Sequence, residues 1–270
     1  FGISLSLAQI QSEEITIHNQ AIQLPGTLTF SSENQPLIIW VHGSGSVDRN
    51  GNQPTVNVKA NYIKQFRDAV NKENIAFFSY DKRTANKKNT AFLKDTQIKD
   101  FAFDAEEVIY YFKNNRSFSQ IILIGHSQGS LVAMISAEKV DKYISIAGAG
   151  ETIDKTLVKQ IKMQSPDFVE ITKLHLKELK ETGGIKNVNP NLMMLFAKQN
   201  QDFILSWMAL DPEVEIKKVK IPTLIINGDK DIQVLPDDAK KLRSAKPDAE
   251  LVIIKNMNHV LKDIQKEEDN

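Results

Sequence analysis

Runs of apolar residues alternate along the chain with segments whose apolar positions recur every three or four residues. The runs are continuous, as in strands buried on both faces of a sheet, and the segments between them have the periodicity of amphipathic helices. The strand candidates are PLIIWVHG, IAFFSYDKR, QIILIG, KYISIAGAG, IPTLIINGD and AELVIIKNM. Two β-like stretches, EITIHN and AIQLPGTLTF, precede them and predict an antiparallel ribbon. The alternation predicts an α/β fold with a mostly parallel sheet and helices on both faces.

Helical periodicity is expected over residues 58–71, 100–112, 128–139 and 236–245, and a terminal helix is expected after His259. Each of these segments except the last lies between two strand candidates or directly after one. This spacing is typical of helices that cross over between parallel strands.

Residues 151–220 interrupt the alternation. No stretch there has the pattern of a strand, and the helix-like stretches 153–179 and 192–210 are separated by Gly183-Gly184 and Asn189-Pro190. A segment of roughly 70 residues is far longer than an ordinary connection. The sequence therefore predicts one α/β domain that carries a helical insertion.

The charge and the cysteine content exclude several kinds of site. Lysine and arginine together number 34, as do aspartate and glutamate, so the chain lacks the basic excess of a nucleic-acid-binding protein. It has no cysteine, which excludes disulfides, a thiolate nucleophile and a Cys-ligated zinc site. The five histidines show no H-E-x-x-H spacing, and no stretch approaches the ~20 apolar residues of a membrane span. We expect no metal, no cofactor, no nucleic-acid partner and no membrane span, and the oligomeric state stays open.

The first residues, FGISLSLAQ, resemble the end of a secretory signal peptide. Apolar and small residues precede a candidate cleavage point after Ala8. This pattern predicts export to the periplasm or the medium, with residues 1–13 as a signal-peptide remnant and leader. The alternative is an irregular leader to the first strand in a protein that stays in the cytoplasm.

The stretch QIILIGHSQGSLVAM places a serine directly between a buried strand and a helix. A nucleophile elbow makes this junction so tight that the serine projects from the sheet edge, and the residues two positions away must be small. Gly125 and Gly129 meet this requirement on either side of Ser127. The pattern predicts a nucleophilic serine, with an ordinary serine at a helix start as the alternative.

A nucleophilic serine needs a histidine base, which is in turn held by a carboxylate. With this elbow the acid and the base are expected at the ends of later strands, in that order. LIINGDKDIQV supplies Asp229 and Asp231, and LVIIKNMNHVLK supplies His259. Asp231 is the preferred acid because a loop needs a few residues to return a carboxylate beneath the histidine.

The combination of HGSGSVDRNGN, YDKR, GHSQG, GDKDIQV and NMNHVLK resembles the α/β-hydrolase superfamily, and within it the capped bacterial serine esterases of carboxylesterase type. The resemblance covers almost the whole chain. It implies that Ser127 is the nucleophile, His259 the base and Asp231 the acid. It also implies an oxyanion hole formed by the backbone N–H groups of Ser44 and Gln128.

The same resemblance implies that residues 151–220 form a cap above the nucleophile. The α/β-hydrolase core would then comprise residues 14–150 and 221–270. The cap is rich in methionine and aromatic residues, some of which would line an adaptable acyl pocket while others pack on the core. The substrate-binding candidates are Met193, Met194, Trp207 and Met208.

Several polar groups receive structural interpretations. The segment DRNGN is either a turn, with Asp48 and Arg49 paired to neighbours, or a site for a polar part of the substrate. DKRTANKKN is interpreted as a solvated basic loop. His126 is expected to point into the sheet or the backbone, and His42 to shape the oxyanion loop.

Together these features predict a serine hydrolase that cleaves small-molecule carboxylic esters through an acyl-enzyme intermediate. A thioesterase or a peptidase would use the same groups. A non-catalytic ligand-binding protein of the same fold is the remaining alternative, although such a protein is expected to lack one member of the triad.

Overall fold

The computed structural model describes residues 9–266, which form an eight-stranded sheet with helices on both faces. The strands are β1 (Gln11–Asn19), β2 (Ile22–Phe30), β3 (Leu37–Val41), β4 (Ala76–Tyr80), β5 (Ile121–His126), β6 (Lys142–Ile146), β7 (Thr223–Gly228) and β8 (Glu250–Ile254). Their order in the sheet is β1-β2-β4-β3-β5-β6-β7-β8. β1 pairs with β2 and β2 with β4 in antiparallel fashion, and all other pairs are parallel. The predicted α/β fold, with its antiparallel opening ribbon, is confirmed.

The helices are α1 (Tyr62–Lys72), α2 (Ile98–Asn115), α3 (Gln128–Ser136), α4 (Ile153–Gln164), α5 (Val169–Thr182), α6 (Met193–Phe196), α7 (Lys198–Met208), α8 (Pro212–Lys218) and α9 (Pro236–Ala245). α1 begins four residues later than its apolar periodicity predicts. α8 was not predicted, although Asp211 caps it by accepting a hydrogen bond from the Glu213 backbone N–H at 2.9 Å.

Successive side chains of the central strand β3 face two different hydrophobic clusters. Leu37 and Ile39 belong to a cluster that includes α2, α3 and α9, whereas Ile38 and Trp40 belong to a second cluster with α1. This is the period of two expected of a strand covered on both faces. The continuous apolar runs in the sequence have the same cause.

The segment between β6 and β7 has a small core of its own. Ile153, Leu179, Phe196 and Met208, from α4, α5, α6 and α7, lie in one buried cluster separate from the two sheet clusters. α7 also contacts α2, where the Ile98 backbone N–H donates to the Ser206 hydroxyl at 3.1 Å. α8 differs from α4 to α7 because its Ile216 side chain is buried in the main sheet cluster.

The expected terminal helix after His259 is wrong, because residues 259–266 form turns. The Asn258 side-chain oxygen accepts hydrogen bonds from the backbone N–H groups of Val260 and Lys262 at 3.1 and 3.0 Å. Leu261 has a positive φ of 63°. A short polar side chain that satisfies backbone donors in this way competes with helix formation.

Two expectations concern other parts of the chain. The signal-peptide remnant at Phe1 to Ala8 lies outside the described residues. Within residues 9–266, none of the helices combines the length and the apolar character that a membrane crossing requires.

Candidate active site

Ser127 lies at the junction of β5 and α3 with a strained backbone. Its φ is 54° and its ψ is −122°, a region that residues with a side chain rarely adopt. The Ser127 backbone N–H donates to the Ile146 carbonyl at 2.9 Å, which anchors the turn to the neighbouring strand β6. Strain of this kind costs about 1–3 kcal/mol and persists only where the surrounding structure imposes it.

The two glycines around the serine have no room for a side chain. A Cβ atom at Gly125 would lie 2.3 Å from the Gly129 carbonyl oxygen, and one at Gly129 would lie 2.3 Å from the Val41 carbonyl oxygen. Both distances are far below a van der Waals contact. The predicted need for small residues at these two positions is therefore confirmed.

The loops after β7 and β8 bring Asp231 and His259 into direct contact. An Asp231 carboxylate oxygen lies 2.8 Å from Nδ1 of His259. The other oxygen accepts hydrogen bonds from the backbone N–H groups of Gln233 and Val234, each at 2.9 Å. Asp231 is 2% exposed, so these contacts hold the carboxylate in a single orientation. Because the carboxylate can only accept, this hydrogen bond places the proton of a neutral His259 on Nδ1 and leaves Nε2 as an acceptor.

Asp229, the other candidate acid, has a different partner. Its carboxylate accepts a hydrogen bond from the Asn256 backbone N–H at 2.6 Å. Asp229 thus holds the start of the loop that carries His259 and does not contact the imidazole itself.

His126, which precedes Ser127, holds the backbone of His259. Its Nε2 lies 2.8 Å from the His259 carbonyl oxygen, and the Tyr62 hydroxyl lies 3.3 Å from its Nδ1. Because burial lowers the pKa of His126 to about 3, its ring is neutral. The carbonyl can only accept, so Nε2 donates and Nδ1 accepts from the tyrosine hydroxyl. As predicted, His126 points into the backbone, and it joins the serine turn to the histidine loop.

The loop after β3 lies directly against the serine turn. A Cβ atom at Gly43 would lie 3.2 Å from Cβ of Ser127. Ser44 follows in the loop and lines the same cavity as Ser127 and Gln128. The Gln128 N–H belongs to the first turn of α3, where amides have no partner within the helix and carry its positive end.

His42 is buried at the base of this loop. Neither of its ring nitrogens has a hydrogen-bond partner among the described residues, and burial lowers its pKa to about 3. Its ring packs edge-on against Tyr80, with 5.1 Å between centroids. A neutral, packed ring fits the predicted role of shaping the loop.

The expectation of a solvated loop at DKRTANKKN is wrong for its first two basic residues, because Lys82 and Arg83 are each only 5% exposed. Two Arg83 nitrogens donate to the Asp104 carboxylate at 2.7 and 2.8 Å. Lys82 donates to the Gly43 carbonyl at 2.8 Å and to the Gln128 side-chain oxygen at 2.6 Å. The only feature of the sequence that could have indicated their burial is that both basic residues closely follow a buried strand.

The DRNGN segment is a turn. Asp48 accepts hydrogen bonds from the backbone N–H groups of Asn50 and Asn52 at 2.8 and 2.9 Å. Arg49 forms ion pairs with Asp81 and Glu14. These contacts match the structural interpretation of the segment.

A cavity of about 520 Å³ opens above Ser127, within the size range of small-molecule sites. Its walls come from both the α/β layer and the inserted helices. The apolar side chains of its lining include Phe101, Leu131, Ile153, Leu157, Phe203, Ile204 and Trp207.

The four candidate pocket residues of the inserted segment separate into two groups. Met194 and Trp207 line the cavity, although Met194 is 89% exposed. Met208 is not part of the lining, because it follows Trp207 on the helix, faces a different direction and is buried in the segment's own core. Met193 is also outside the lining and is 47% exposed.

Within residues 9–266 no group of three or more His, Asp or Glu side chains is arranged to hold a metal ion. Ser127, on its strained turn, and Gln128, the first residue of α3, line the cavity, and the carboxylate-bound imidazole of His259 belongs to a loop that His126 joins to the serine turn. Such an arrangement can support acyl transfer.

Comparison with known proteins finds one matching family model and a curated relative of similar sequence. The BD-FAE family model matches residues 23–245. Esterase EstD of Thermotoga maritima is 27% identical over 264 residues, a match that covers 93% of this chain and 60% of the relative. The chain thus spans less than two thirds of the length of that curated relative.

Solved structures of two esterases share the fold. Est1E of Butyrivibrio proteoclasticus with bound ferulic acid has a TM-score of 0.63 and 18% identity, over 92% of each chain. The Pyrococcus furiosus esterase Pf2001 has a TM-score of 0.60 and 16% identity, over 91% of this chain and 83% of that chain. These relatives agree with the resemblance that the motifs indicated. Because the family model covers most of its length, the chain belongs to the BD-FAE family, and it has the α/β-hydrolase fold.

Proposed function

We propose that this protein is a serine hydrolase of carboxylic esters in which Ser127 is the nucleophile, His259 the base and Asp231 the acid. The observation that carries the proposal is the 2.8 Å contact between Nδ1 of His259 and Asp231, in a loop that His126 ties to the Ser127 turn. The 54° φ of Ser127 supports it, because strain at a side chain that lines a cavity is typical of a functional position.

In the acylation step the Ser127 oxygen attacks the ester carbonyl while Nε2 of His259 accepts the hydroxyl proton. The electron pair of the carbonyl moves onto its oxygen, which the Ser44 and Gln128 backbone N–H groups stabilise. Preorganised donors of this type contribute roughly 3–4 kcal/mol each to the transition state. The intermediate then collapses, the C–O bond to the alcohol breaks, and His259 returns the proton to the leaving oxygen.

Deacylation repeats these steps with water as the nucleophile. His259 accepts a proton from the water, the hydroxide adds to the acyl carbon, and the bond to Ser127 breaks with return of the proton to the serine oxygen. Asp231 stays ionised throughout and stabilises the imidazolium that forms in each half-reaction.

The inserted helices serve in this proposal as a cap that closes the acyl site. The cavity walls support this role, because Trp207 and Phe203 of α7 line the same space as Ser127. Apolar walls favour an apolar acyl group, and about 520 Å³ accommodates a short aliphatic chain or a single aromatic ring. Ferulic acid, which is bound in the solved structure of Est1E, is an acid with a single aromatic ring.

The test is a panel of p-nitrophenyl esters of increasing acyl length, with methyl ferulate, an acyl-CoA series and a peptide series beside it. We expect the parent protein to hydrolyse oxygen esters fastest, and Ser127→Ala to lose this activity while keeping its thermal unfolding transition. A phosphonate probe should label Ser127 alone. Faster hydrolysis of acyl-CoA or peptide would assign the same triad to a different bond, and binding without turnover would indicate a ligand-binding protein.

A further inference from the structure

We propose that the Lys82 ammonium group is a positioning residue that holds both halves of the oxyanion hole. The inference rests on the proposed function, because it takes the Ser44 and Gln128 backbone N–H groups as the oxyanion donors. Lys82 does not belong to the triad, and nothing in the order of the motifs assigns it a role.

The first contact fixes the peptide unit that carries one donor. Nζ of Lys82 donates to the Gly43 carbonyl oxygen at 2.8 Å. This carbonyl and the Ser44 N–H belong to the same planar trans peptide, so they point in opposite directions. When the ammonium holds the oxygen, the N–H is directed away from Lys82. The positive charge also polarises the amide, which makes its N–H a stronger donor.

The second contact reaches the residue that carries the other donor. Nζ of Lys82 also donates to the side-chain oxygen of Gln128 at 2.6 Å. Gln128 is the first residue of α3, and its own backbone N–H lies at the positive end of that helix. One ammonium group therefore joins the loop after β3 to the start of α3, and these are the two elements that must keep a constant separation around an oxyanion.

The surroundings leave the charge of Lys82 without a carboxylate partner. Among residues 9–266, Lys82 has no ion pair, since the nearby Asp104 carboxylate is bound twice by Arg83. The ammonium instead lies 4.3 Å from the centroid of the Phe101 ring, a cation–π contact on the cavity wall. An unpaired positive charge in a site of low dielectric favours a negative charge that develops nearby.

Burial lowers the pKa of Lys82 to about 7 and the Asp104 charge opposes that shift. His42 also interacts electrostatically with Lys82, and its pKa of about 3 keeps it neutral. Arg83, the next residue, is paired with Asp104, and the cavity wall that includes Lys82 also carries the charged side chains of Lys94 and Glu151. A lysine with a lowered pKa is charged below that pKa and neutral above it. The polarising effect of the ammonium is therefore present in acid and is lost as the pH rises through about 7.

The test compares Lys82→Met with Lys88→Met. Lys88 belongs to the same DKRTANKKN segment but is exposed and lies outside the cavity lining, so the pair removes the same charge with and without the two buried contacts. We expect Lys82→Met to lower kcat by about 100-fold, as loss of an oxyanion donor does, with KM changed less than about threefold. Lys88→Met should keep kcat near that of the parent protein.

The pH profile separates positioning through charge from a purely structural role. The ratio of the parent kcat to that of Lys82→Met should be largest near about pH 6 and should decrease toward about pH 9, because the parent loses the ammonium charge over this interval. A loss of activity that is the same at every pH, or a rise in KM with unchanged kcat, would overturn the proposal.

If Lys82→Met does not fold, Gln128→Met decides the question, since it removes one of the two acceptors, keeps a side chain of similar size and retains the Gln128 backbone N–H. A roughly tenfold lower kcat supports the proposal, and parent activity refutes it.

Ser127→Ala keeps the two proposals distinct. Full activity in Ser127→Ala would contradict the proposed function, whereas an inactive Ser127→Ala beside a fully active Lys82→Met would contradict only the role of Lys82.

Discussion

His259 is held at two points, by Asp231 at Nδ1 of its imidazole and by His126 at its backbone carbonyl, each at 2.8 Å. The first contact sets the tautomer of the imidazole, and the second fixes the position of the His259 backbone that carries it. Three strand ends, those of β5, β7 and β8, are joined through these two bonds. His259 is therefore positioned by its contacts with the other strand ends as well as by its own loop, which contains mostly turns.

The two aspartates of the GDKD segment should affect activity differently. Asp231→Asn should lower kcat by roughly 10⁴-fold, because an amide favours the wrong histidine tautomer and cannot stabilise the imidazolium. Asp229→Asn should reduce it far less, since the Asp229 carboxylate binds the Asn256 backbone N–H and the Nδ1 of His259 is bound by Asp231. Steady-state kinetics of the two variants check this prediction, and a greater loss at Asp229 would reassign the acid.

Replacement of Ser127 by glycine should stabilise the protein while it abolishes ester hydrolysis. Glycine adopts positive φ without steric cost, so Ser127→Gly relieves strain of about 1–3 kcal/mol. Ser127→Ala is the matched control, because it also lacks the hydroxyl but keeps the strained backbone with a Cβ atom. Urea denaturation should give Ser127→Gly the higher free energy of unfolding. Equal stability of the two variants would show that the turn stores no strain.

The protein should lose stability as the pH falls below about 6.5. Burial lowers the pKa of both His42 and His126 from 6.5 to about 3. Between these two pH values the two histidines bind protons in the unfolded chain and not in the folded protein. Each histidine then reduces the free energy of unfolding by up to about 1.4 kcal/mol for every pH unit of acidification in this window. The measurement is urea denaturation at several pH values from about 4.5 to about 7.5.

A His126→Phe variant should weaken this dependence, because it keeps a ring but removes the proton-binding site. His18, which is exposed on β1, supplies the control: His18→Phe should keep the dependence of the parent protein. His126→Phe should also lower kcat, because the His259 carbonyl loses its donor. A parent protein with constant stability over this window would contradict the prediction.

Acyl-chain preference should respond to Trp207 and not to Met193. Trp207 lines the cavity, and each additional buried methylene contributes about 0.8 kcal/mol, so activity should rise from acetyl toward butyryl or hexanoyl esters until the cavity is full. Trp207→Ala should move the optimum to longer chains. Met193→Ala, outside the lining, should leave it unchanged, and rates across the ester series decide between these outcomes. An unchanged optimum in both variants would place the acyl site elsewhere.

The sequence by itself was sufficient for the fold class, and it predicted the grouping of the site residues. Continuous apolar runs predict buried parallel strands, and the carboxyl ends of such strands meet at one edge of a sheet. Ser127, Asp231 and His259 each follow such a run, so their convergence could be expected from order alone. The requirement for glycine around Ser127 was also readable, because it arises from contacts within one short turn.

The tertiary structure alone decided what surrounds these residues. Lys82 looked like part of a solvated loop, yet its two partners are 39 and 46 residues away in the chain, and its burial depends on where α2 and α3 pack. The bond between His126 and His259 spans 133 residues. Which methionines of the inserted segment face the cavity was likewise settled by the packing of its helices. Local sequence patterns depend on residues that are close together in the chain. Burial and hydrogen bonding between residues far apart in the chain depend instead on how the helices and strands pack against one another.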